Sequence, residues 1–228
     1  MKNLPIEDLI ERARILTEAM PYINAFRGAV VVIKYGGHAM IDEDLKRTVI
    51  QDIVLMELVG MKPVVVHGGG PEITALMKKL NLQPKFVQGQ RVTDAETLEV
   101  AEMVLAGKLN GEIVNSINQT GGRAVGLSGK DGGLILASKL GAGEDGTADI
   151  GFVGEVESVH PRIISILTEN QFIPVIAPIG VDRNGQTYNI NADSVAGAIA
   201  IALKSAKLIL LTDVKGIYRD PKDESSIM

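Results

Sequence analysis

Short, almost wholly apolar segments alternate along this chain with longer segments that have the apolar spacing of helices. The apolar segments include AVVVIKY (29–35), KPVVVH (62–67), FIPVIAPIG (172–180) and KLILL (207–211). Apolar runs without polar alternation are typical of strands buried on both faces, and such strands occur in parallel sheets that helices cover. The pattern therefore predicts an α/β fold with a central, mainly parallel sheet between helices.

The composition is that of a globular protein and excludes several functions. Of 228 residues, 46% are hydrophobic and 22% are charged, and the net charge is −5, so nothing indicates the basic face of a nucleic-acid-binding protein. The absence of cysteine excludes disulfides, thiolate metal sites and cysteine nucleophiles, and it fits a reducing compartment. Charges interrupt residues 1–20, which are therefore no signal peptide, and no apolar run reaches the ~20 residues of a membrane span. We expect a cytoplasmic protein that binds neither nucleic acid nor a membrane.

Helices are predicted between the strands and before the first strand, and the bounds of three of them follow. Residues 4–20 have one apolar stripe, and Pro21 is expected to end this first helix. It either packs on its own domain or serves as a partner-binding or oligomerising helix. Two further helices are predicted, one over about 95–106 and another that ends near residue 119.

Two glycine loops follow apolar strands, one at Gly36-Gly37 and one at Gly68-Gly69-Gly70. The second loop, HGGGP, is neither a Walker A loop nor a GxGxxG loop, because no Lys-Ser/Thr follows it and Ile73 stands where a third glycine would. Glycines at the end of a strand expose backbone N–H groups beside the positive end of the next helix, which favours an anion. The alternative is a tight strand-to-helix turn, for which one glycine would suffice.

Three charged side chains are candidates for chemistry, and each has an ordinary structural alternative. Lys34 lies in a predicted buried strand, where it either reaches an anion or leads its charge to water at the sheet edge. Asp193 opens a helix and either caps it or holds lysine ammonium groups. Arg91 offers a guanidinium to a substrate carboxylate or is a surface arginine. The three histidines have no metal-ligand spacing, and we predict no metal site made by the protein.

Five segments together resemble a known family. IKYGG, VVHGGGP, QGQRVTD, YNINAD and LILLTDVKG, in this order and spacing, closely resemble the N-acetyl-L-glutamate kinases of the amino-acid kinase family, from about residue 22 to the end. The resemblance implies a three-layer αβα sandwich and the phosphorylation of the side-chain carboxylate of N-acetyl-L-glutamate by ATP, the second step of arginine biosynthesis. GQRVT and NINAD distinguish these enzymes from glutamate 5-kinase and aspartate kinase, which share the fold.

The resemblance also implies roles for particular residues. The catalytic group comprises Lys34, which neutralises charge on the transferring phosphoryl group, Asp193, which organises the catalytic lysines, and Gly37 and Gly69. The substrate-binding residues are Gly69, Gly70, Arg91, which would grip the α-carboxylate, and Asn189. The nucleotide-binding residues are Gly36, Gly37, Gly68, Thr212, Asp213 and Gly216. Mg²⁺ is expected to be held mainly by ATP.

Family members with an added N-terminal helix form hexamers and are inhibited by arginine. By this resemblance, residues 1–20 are an oligomerising and regulatory helix, residues 21–190 bind N-acetylglutamate and form the dimer, and residues 191–228 begin the ATP-binding part. Tyr22 and Lys207 stand where those enzymes contact arginine. We expect a homo-oligomer, a hexamer built on dimers, and the resemblance leaves open whether a PII-type regulator binds it.

Two other functions stay open at the level of sequence. One is phosphorylation of another amino acid, as by glutamate 5-kinase or aspartate kinase, and the other is a non-catalytic metabolite sensor. The family continues past residue 228 and carries there a second catalytic lysine and much of the adenine site. We therefore expect this chain to be a fragment, and a verified 1–228 chain to bind N-acetylglutamate with almost no turnover.

Overall fold

A parallel five-stranded sheet forms the centre of the protein, as a computed structural model shows for residues 5–141, 149–212, 216, 218–220 and 223–227. The strands are β1 (Val30–Tyr35), β2 (Lys62–His67), β3 (Phe86–Val87), β4 (Gln90–Arg91), β5 (Ala124–Ser128), β6 (Ile135–Lys139), β7 (Val153–Val159), β8 (Ile173–Ala177), β9 (Ile179–Val181), β10 (Thr187–Ile190) and β11 (Lys207–Leu210). The parallel sheet has the order β11-β1-β2-β8-β5. Because its strands all run in one direction, the loops at their carboxyl ends share one edge.

The described residues also form seven α-helices and several shorter helical turns, most of them between strands. The α-helices are α1 (Ile6–Phe26), α2 (Glu43–Leu58), α3 (Gly70–Lys79), α4 (Ala95–Glu102), α5 (Asn110–Gln119), α6 (Arg162–Glu169) and α7 (Ala192–Ala202). The 3₁₀ turns are Gly37–Met40, Asp131–Gly133 and Glu224–Ser226, and a π-helical segment is Met103–Leu109. Among the described residues, none of the helices combines the length and the apolar character that crossing a bilayer would require.

Each face of the parallel sheet has its own apolar core. On one face, side chains of β1 and β2 such as Ile33 and Val65 pack against α2, α3, α5 and the π-helical segment. On the other, Val32, Val64 and Ile176 pack against α6, α7 and a small closed barrel of β10, β7, β6 and β9. Helices therefore cover both faces of a parallel sheet, as predicted.

The first helix is longer than predicted. It runs through Pro21 to Phe26 instead of ending at residue 20. A proline inside a helix removes the hydrogen bond to the carbonyl four residues earlier, here that of Thr17. Thr17 is exposed, so water can hydrate that carbonyl, which reduces the cost of continuing the helix.

Two further elements differ from prediction. The structure has one continuous helical run where two helices were predicted, one over 95–106 and another ending near 119. At the predicted break the run contains the π-helical segment, in which each turn holds about one more residue than a turn of α-helix. The predicted strand 172–180 is divided at Pro178 into β8 of the parallel sheet and β9 of the barrel. Proline cannot donate to a strand ladder, and the chain changes sheet there.

Candidate active site

The two glycine loops are neighbours because β1 and β2 are adjacent parallel strands. Their register pairs Tyr35 with His67, so Gly36 and Gly68 both follow the last pair. The N–H of Gly68 donates to the carbonyl of Tyr35 at 2.8 Å and joins the loops. The Tyr35 hydroxyl donates to the Ala39 carbonyl at 2.9 Å and fixes the turn that follows the first loop.

A cavity of about 290 Å³ opens at this edge of the sheet. Its lining comes from both glycine loops, the turn after β1 and the beginning of α7. The lining residues are Lys34, Gly36, Gly37, Met40, Ile41, Gly68, Gly69, Gly70, Pro71, Glu72, Asn191, Ala192 and Asp193. The structure thus brings together all four residues predicted to be catalytic and the glycines of both loops.

Lys34 and Asp193 form the ion pair of the cavity. The distance from Lys34 Nζ to Asp193 Oδ1 is 3.1 Å, and the lysine side chain is only 15% exposed. Asn191 caps α7 by accepting from the backbone N–H groups of residues 193 and 194, which orients the first turn with its carboxylate. A Cβ at position 36 would lie 2.9 Å from Lys34 Nζ, so the absence of a side chain at Gly36 leaves room for the ammonium group. The lysine therefore has a buried stem and a partnered charge inside the cavity.

The backbone N–H groups of the loops divide into one that is paired and others that are not. Gly68 uses its N–H within the sheet edge, so its predicted part as a donor to phosphate is not supported in this geometry. Within the described part of the chain, the N–H groups of Gly36, Gly37, Gly69 and Gly70 have no hydrogen-bond acceptor. Two sets of free donors therefore line the cavity beside one lysine.

Arg91 lies beside a second cavity of about 500 Å³, which shares Gly70 and Pro71 with the first. Its guanidinium donates to the Gly70 carbonyl at 2.8 Å and the Thr74 hydroxyl at 2.7 Å and lies 4.7 Å from the centre of the Phe86 ring. Burial lowers the pKa of the guanidinium from its ordinary value. Arginine nevertheless stays charged at neutral pH in proteins. Arg91 is thus fixed against the last glycine of the loop and Thr74 of α3.

Asn189 is connected to Arg91 through Thr93. The amide of Asn189 donates to the Thr93 hydroxyl at 3.5 Å, and that hydroxyl donates to the Arg91 carbonyl at 2.9 Å. Thr93 is completely buried and its backbone joins residues 150 and 152. The sequence analysis gave Thr93 no part in the site, although Thr93 lies only two residues after Arg91 in QRVTD.

Of the remaining predicted residues, those that the structure describes do not line the first cavity. Thr212 is exposed just after β11, Gly216 is described singly, and Asp213 lies outside the described residues. Tyr22 is 71% exposed on α1, and Lys207 Nζ lies 5.9 Å from the centre of the Phe26 ring on the same helix. Tyr22 and Lys207 are therefore at one side of the molecule, distant in the fold from the carboxyl edge of β1.

His67 and Asn110 are buried polar residues directly beneath the glycine loop. His67 is completely buried and Asn110 is 4% exposed. The sequence left the role of His67 open between structure and function and gave no signal for Asn110, which lies inside the predicted helical run. In the described ranges, no three His, Cys, Asp or Glu side chains come together as a metal site would require.

The amino acid kinase family matches residues 29–227 of this chain. The chain is 57% identical over 224 residues to the acetylglutamate kinase of Moorella thermoacetica, a match that covers 96% of this chain and 76% of that protein. It is 55% identical over 219 residues to the acetylglutamate kinase of Methanocaldococcus jannaschii, covering 93% of this chain and 73% of that one.

A solved structure has a similar fold. It is the N-acetylglutamate synthase from Neisseria gonorrhoeae complexed with coenzyme A and N-acetyl-glutamate, with a TM-score of 0.76 and 25% sequence identity. The match covers 90% of this chain and 46% of that chain. The likeness extends over nearly all of the chain described above.

Proposed function

The chain belongs to the amino acid kinase family, and we propose that it transfers the γ-phosphoryl group of ATP to the side-chain carboxylate of N-acetyl-L-glutamate. The product is N-acetyl-L-glutamyl 5-phosphate, an acyl phosphate, and the reaction is the second step of arginine biosynthesis. The observation that carries the proposal is the cavity in which the Lys34–Asp193 pair faces two glycine loops with free N–H groups.

The arrangement suits a carboxylate nucleophile. A glutamate side chain has a pKa of about 4.3 and is ionised at neutral pH, so the reaction needs no general base. The main obstacle is repulsion between two anions. An ammonium group and backbone N–H donors, all held in place around the cavity, reduce this repulsion. Lys34 neutralises charge on the transferring phosphoryl group, and Asp193 positions the lysine. The N–H groups of Gly37 and Gly69 donate to the oxygens of the phosphoryl group.

The second cavity is our proposed position for the α-carboxylate and the acetamido group. Arg91 would exchange part of its contact with Gly70 and Thr74 for the carboxylate, a planar partner that suits its fork of donors. Asn189 lies on the same hydrogen-bonded chain through Thr93 and would hold the other end of the amino acid. Because the two cavities share Gly70 and Pro71, a substrate held in the second cavity would extend its side-chain carboxylate toward the first.

The nucleotide would approach from the side of α7 and β11. Gly36, Gly37 and Gly68 would border the phosphates. Thr212, Asp213 and Gly216 come after β11 in the chain and would bind the rest of the nucleotide. Mg²⁺ would arrive with ATP and supply further positive charge to the phosphates. This assigns residues 21–190 to N-acetylglutamate and residues 191–228 to the beginning of the ATP-binding part, in the cytoplasm, which suits a chain without cysteine.

Assembly and regulation are assigned to α1. None of its residues is buried, and apolar side chains such as Ile10 and Leu16 are more than half exposed. We propose that this helix joins dimers into hexamers. Arginine would bind as a feedback inhibitor where Tyr22 and Lys207 flank Phe26, which couples the assembly to the end product. A PII-type regulator is a further partner to be tested on the assembled enzyme.

Substrate comparison tests the proposed reaction. The natural protein, expressed from its whole gene and supplied with ATP and Mg²⁺, should release ADP with a kcat/KM for N-acetyl-L-glutamate about 100-fold or more above that for L-glutamate or L-aspartate, because a free ammonium group would have to be desolvated beside Arg91. Higher kcat/KM with free glutamate or aspartate would contradict the proposal. Calorimetric binding of N-acetylglutamate without any ADP release would instead identify a metabolite sensor.

A further inference from the structure

A buried hydrogen-bonded pair lies directly behind the glycine loop, and none of the roles above uses it. Asn110 Nδ2 lies 2.9 Å from the Val175 carbonyl, 3.4 Å from the Leu127 carbonyl and 3.2 Å from His67 Nε2. His67 Nδ1 lies 2.8 Å from the Gly68 carbonyl. The network thus connects β5 and β8 to the loop that borders the cavity.

The partners fix the direction of each hydrogen bond. Carbonyl oxygens only accept, so the Asn110 group that faces them is its NH₂ group, and the His67 Nε2 beside it must accept. The proton of the neutral ring is then on Nδ1 and is donated to the Gly68 carbonyl. Burial lowers the pKa of His67 to about 4, which agrees with a neutral ring at physiological pH.

The same peptide unit determines where the next N–H points. A trans peptide is planar, with its C=O and N–H groups directed to opposite sides. The Gly68 carbonyl is directed inward to His67, so the N–H of Gly69 is directed away from the buried ring. Gly69 lines the cavity that holds Lys34 and Asp193, and its N–H has no acceptor among the described residues.

The helical run behind the loop prevents this peptide from moving inward. A Cβ at Gly69 would lie 2.6 Å from Leu105 Cδ2 and 2.8 Å from Leu109 Cδ2, both in the π-helical segment that ends just before Asn110. On the other side of Asn110, its amide oxygen occupies the position of a side chain at Gly126. Two apolar side chains could fill the same space without the cost of burying polar groups. The presence of the polar His67–Asn110 pair therefore indicates that the direction of its hydrogen bonds matters.

We propose that His67 and Asn110 are a positioning pair that aims the N–H of Gly69 at an anionic oxygen of the transferring phosphoryl group. The pair touches neither substrate and acts through the Gly68–Gly69 peptide. This inference rests on the proposed function for the identity of the phosphoryl group, whereas the direction of the peptide is independent of it.

The tautomer of His67 is the first test, and it needs neither turnover nor a variant. Two-bond ¹H–¹⁵N correlation spectra of protein with ¹⁵N-labelled histidine should show the neutral ring protonated at Nδ1 at pH 7. A proton on Nε2, or a doubly protonated ring, would overturn the proposal. Addition of inorganic phosphate should then shift the amide resonance of Gly69, and the absence of any shift would contradict an anion-directed N–H.

Two substitutions of one histidine separate positioning from packing. In His67→Asn the side-chain amide nitrogen stands near the place of Nδ1 and can still donate to the Gly68 carbonyl, whereas His67→Leu removes the donor. We expect kcat to fall by about 10- to 100-fold in His67→Leu with KM values within about threefold, and most of the loss to be recovered in His67→Asn. The phosphate-induced shift of Gly69 should follow the same order.

Asn118 provides a matched control for Asn110. It lies on the same helix, and its side-chain oxygen accepts from the N–H of Ala124 on β5 at 2.7 Å, far along the strand from the loop. Asn118→Leu should lower the melting temperature and leave kcat unchanged, whereas Asn110→Leu should lower both. Equal kcat losses in His67→Leu and His67→Asn, or a kcat loss in Asn118→Leu in proportion to its melting temperature, would show a structural role only. Absence of turnover in the unsubstituted natural protein, expressed from its whole gene, would refute the proposed function while the spectra still decide the direction of the peptide.

Discussion

At the scale of single residues, the site depends on side chains whose charge is fixed by burial and partners. Lys34 forms an ion pair with Asp193, whereas burial lowers the pKa of His67, one strand away, and keeps its ring neutral. A neutral histidine beneath the loop adds no charge to the cavity and keeps one defined donor. The positive potential at the phosphoryl group therefore comes from the lysine and the backbone.

The neutral state of His67 predicts a pH dependence of stability. Its pKa is about 4 in the folded protein and 6.5 in the unfolded chain, so the unfolded chain binds the proton first as the pH falls. The free energy of unfolding should fall between about pH 6.5 and pH 4, by about 3 kcal/mol relative to His67→Asn, which has no titrating group there. Urea denaturation of both proteins at pH 7, 5.5 and 4.5 measures this difference. A difference that is constant with pH would contradict a neutral buried ring.

At the scale of elements, the two glycine loops could be predicted from the sequence, but the helical segment that packs behind the second loop could not. The apolar runs of β1 and β2 followed by glycines predicted an anion-binding edge, and the parallel register confirms that the loops adjoin. The π-helical segment was missed because the pattern indicated a break between two helices, and apolar spacing does not show which carbonyl each helical N–H reaches. Leu105 and Leu109 of this segment pack behind Gly69. The prediction that Pro21 ends α1 was wrong because an exposed helix tolerates the lost hydrogen bond.

The exposed helix α1 should act on assembly and hardly on folding. Deleting residues 1–20 should leave the melting temperature of the remaining chain within a few degrees, because α1 contributes no buried residue. The same deletion should convert hexamers to dimers in sedimentation velocity and reduce inhibition by arginine. Replacing exposed Leu16 with glutamate is a matched point variant, and it should weaken the hexamer in the same direction. Hexamers that persist in both variants would show that α1 does not join the dimers.

At the scale of the whole molecule, the sequence predicted the architecture better than its details. Buried strands without polar alternation were sufficient to predict a parallel sheet with helices on both faces. The closed barrel of β6, β7, β9 and β10 was not predicted, because it depends on a change of sheet at Pro178 and on pairing between distant segments. In the site, Lys34, Asp193 and the glycines share one cavity, whereas Asn110 comes to the loop through tertiary packing alone.

Trapping the acyl phosphate tests the central claim most directly. With ATP, Mg²⁺ and N-acetyl-L-glutamate, hydroxylamine should convert the product to a hydroxamate, and Lys34→Ala should reduce its rate by about 10²- to 10³-fold while the Kd for N-acetylglutamate changes little. Lys62→Ala is the control, because Lys62 begins the neighbouring strand at the opposite edge of the sheet and should affect neither quantity. The account is contradicted if the unsubstituted natural protein, expressed from its whole gene, forms no hydroxamate from N-acetylglutamate, or if its Lys34→Ala variant forms it at an undiminished rate.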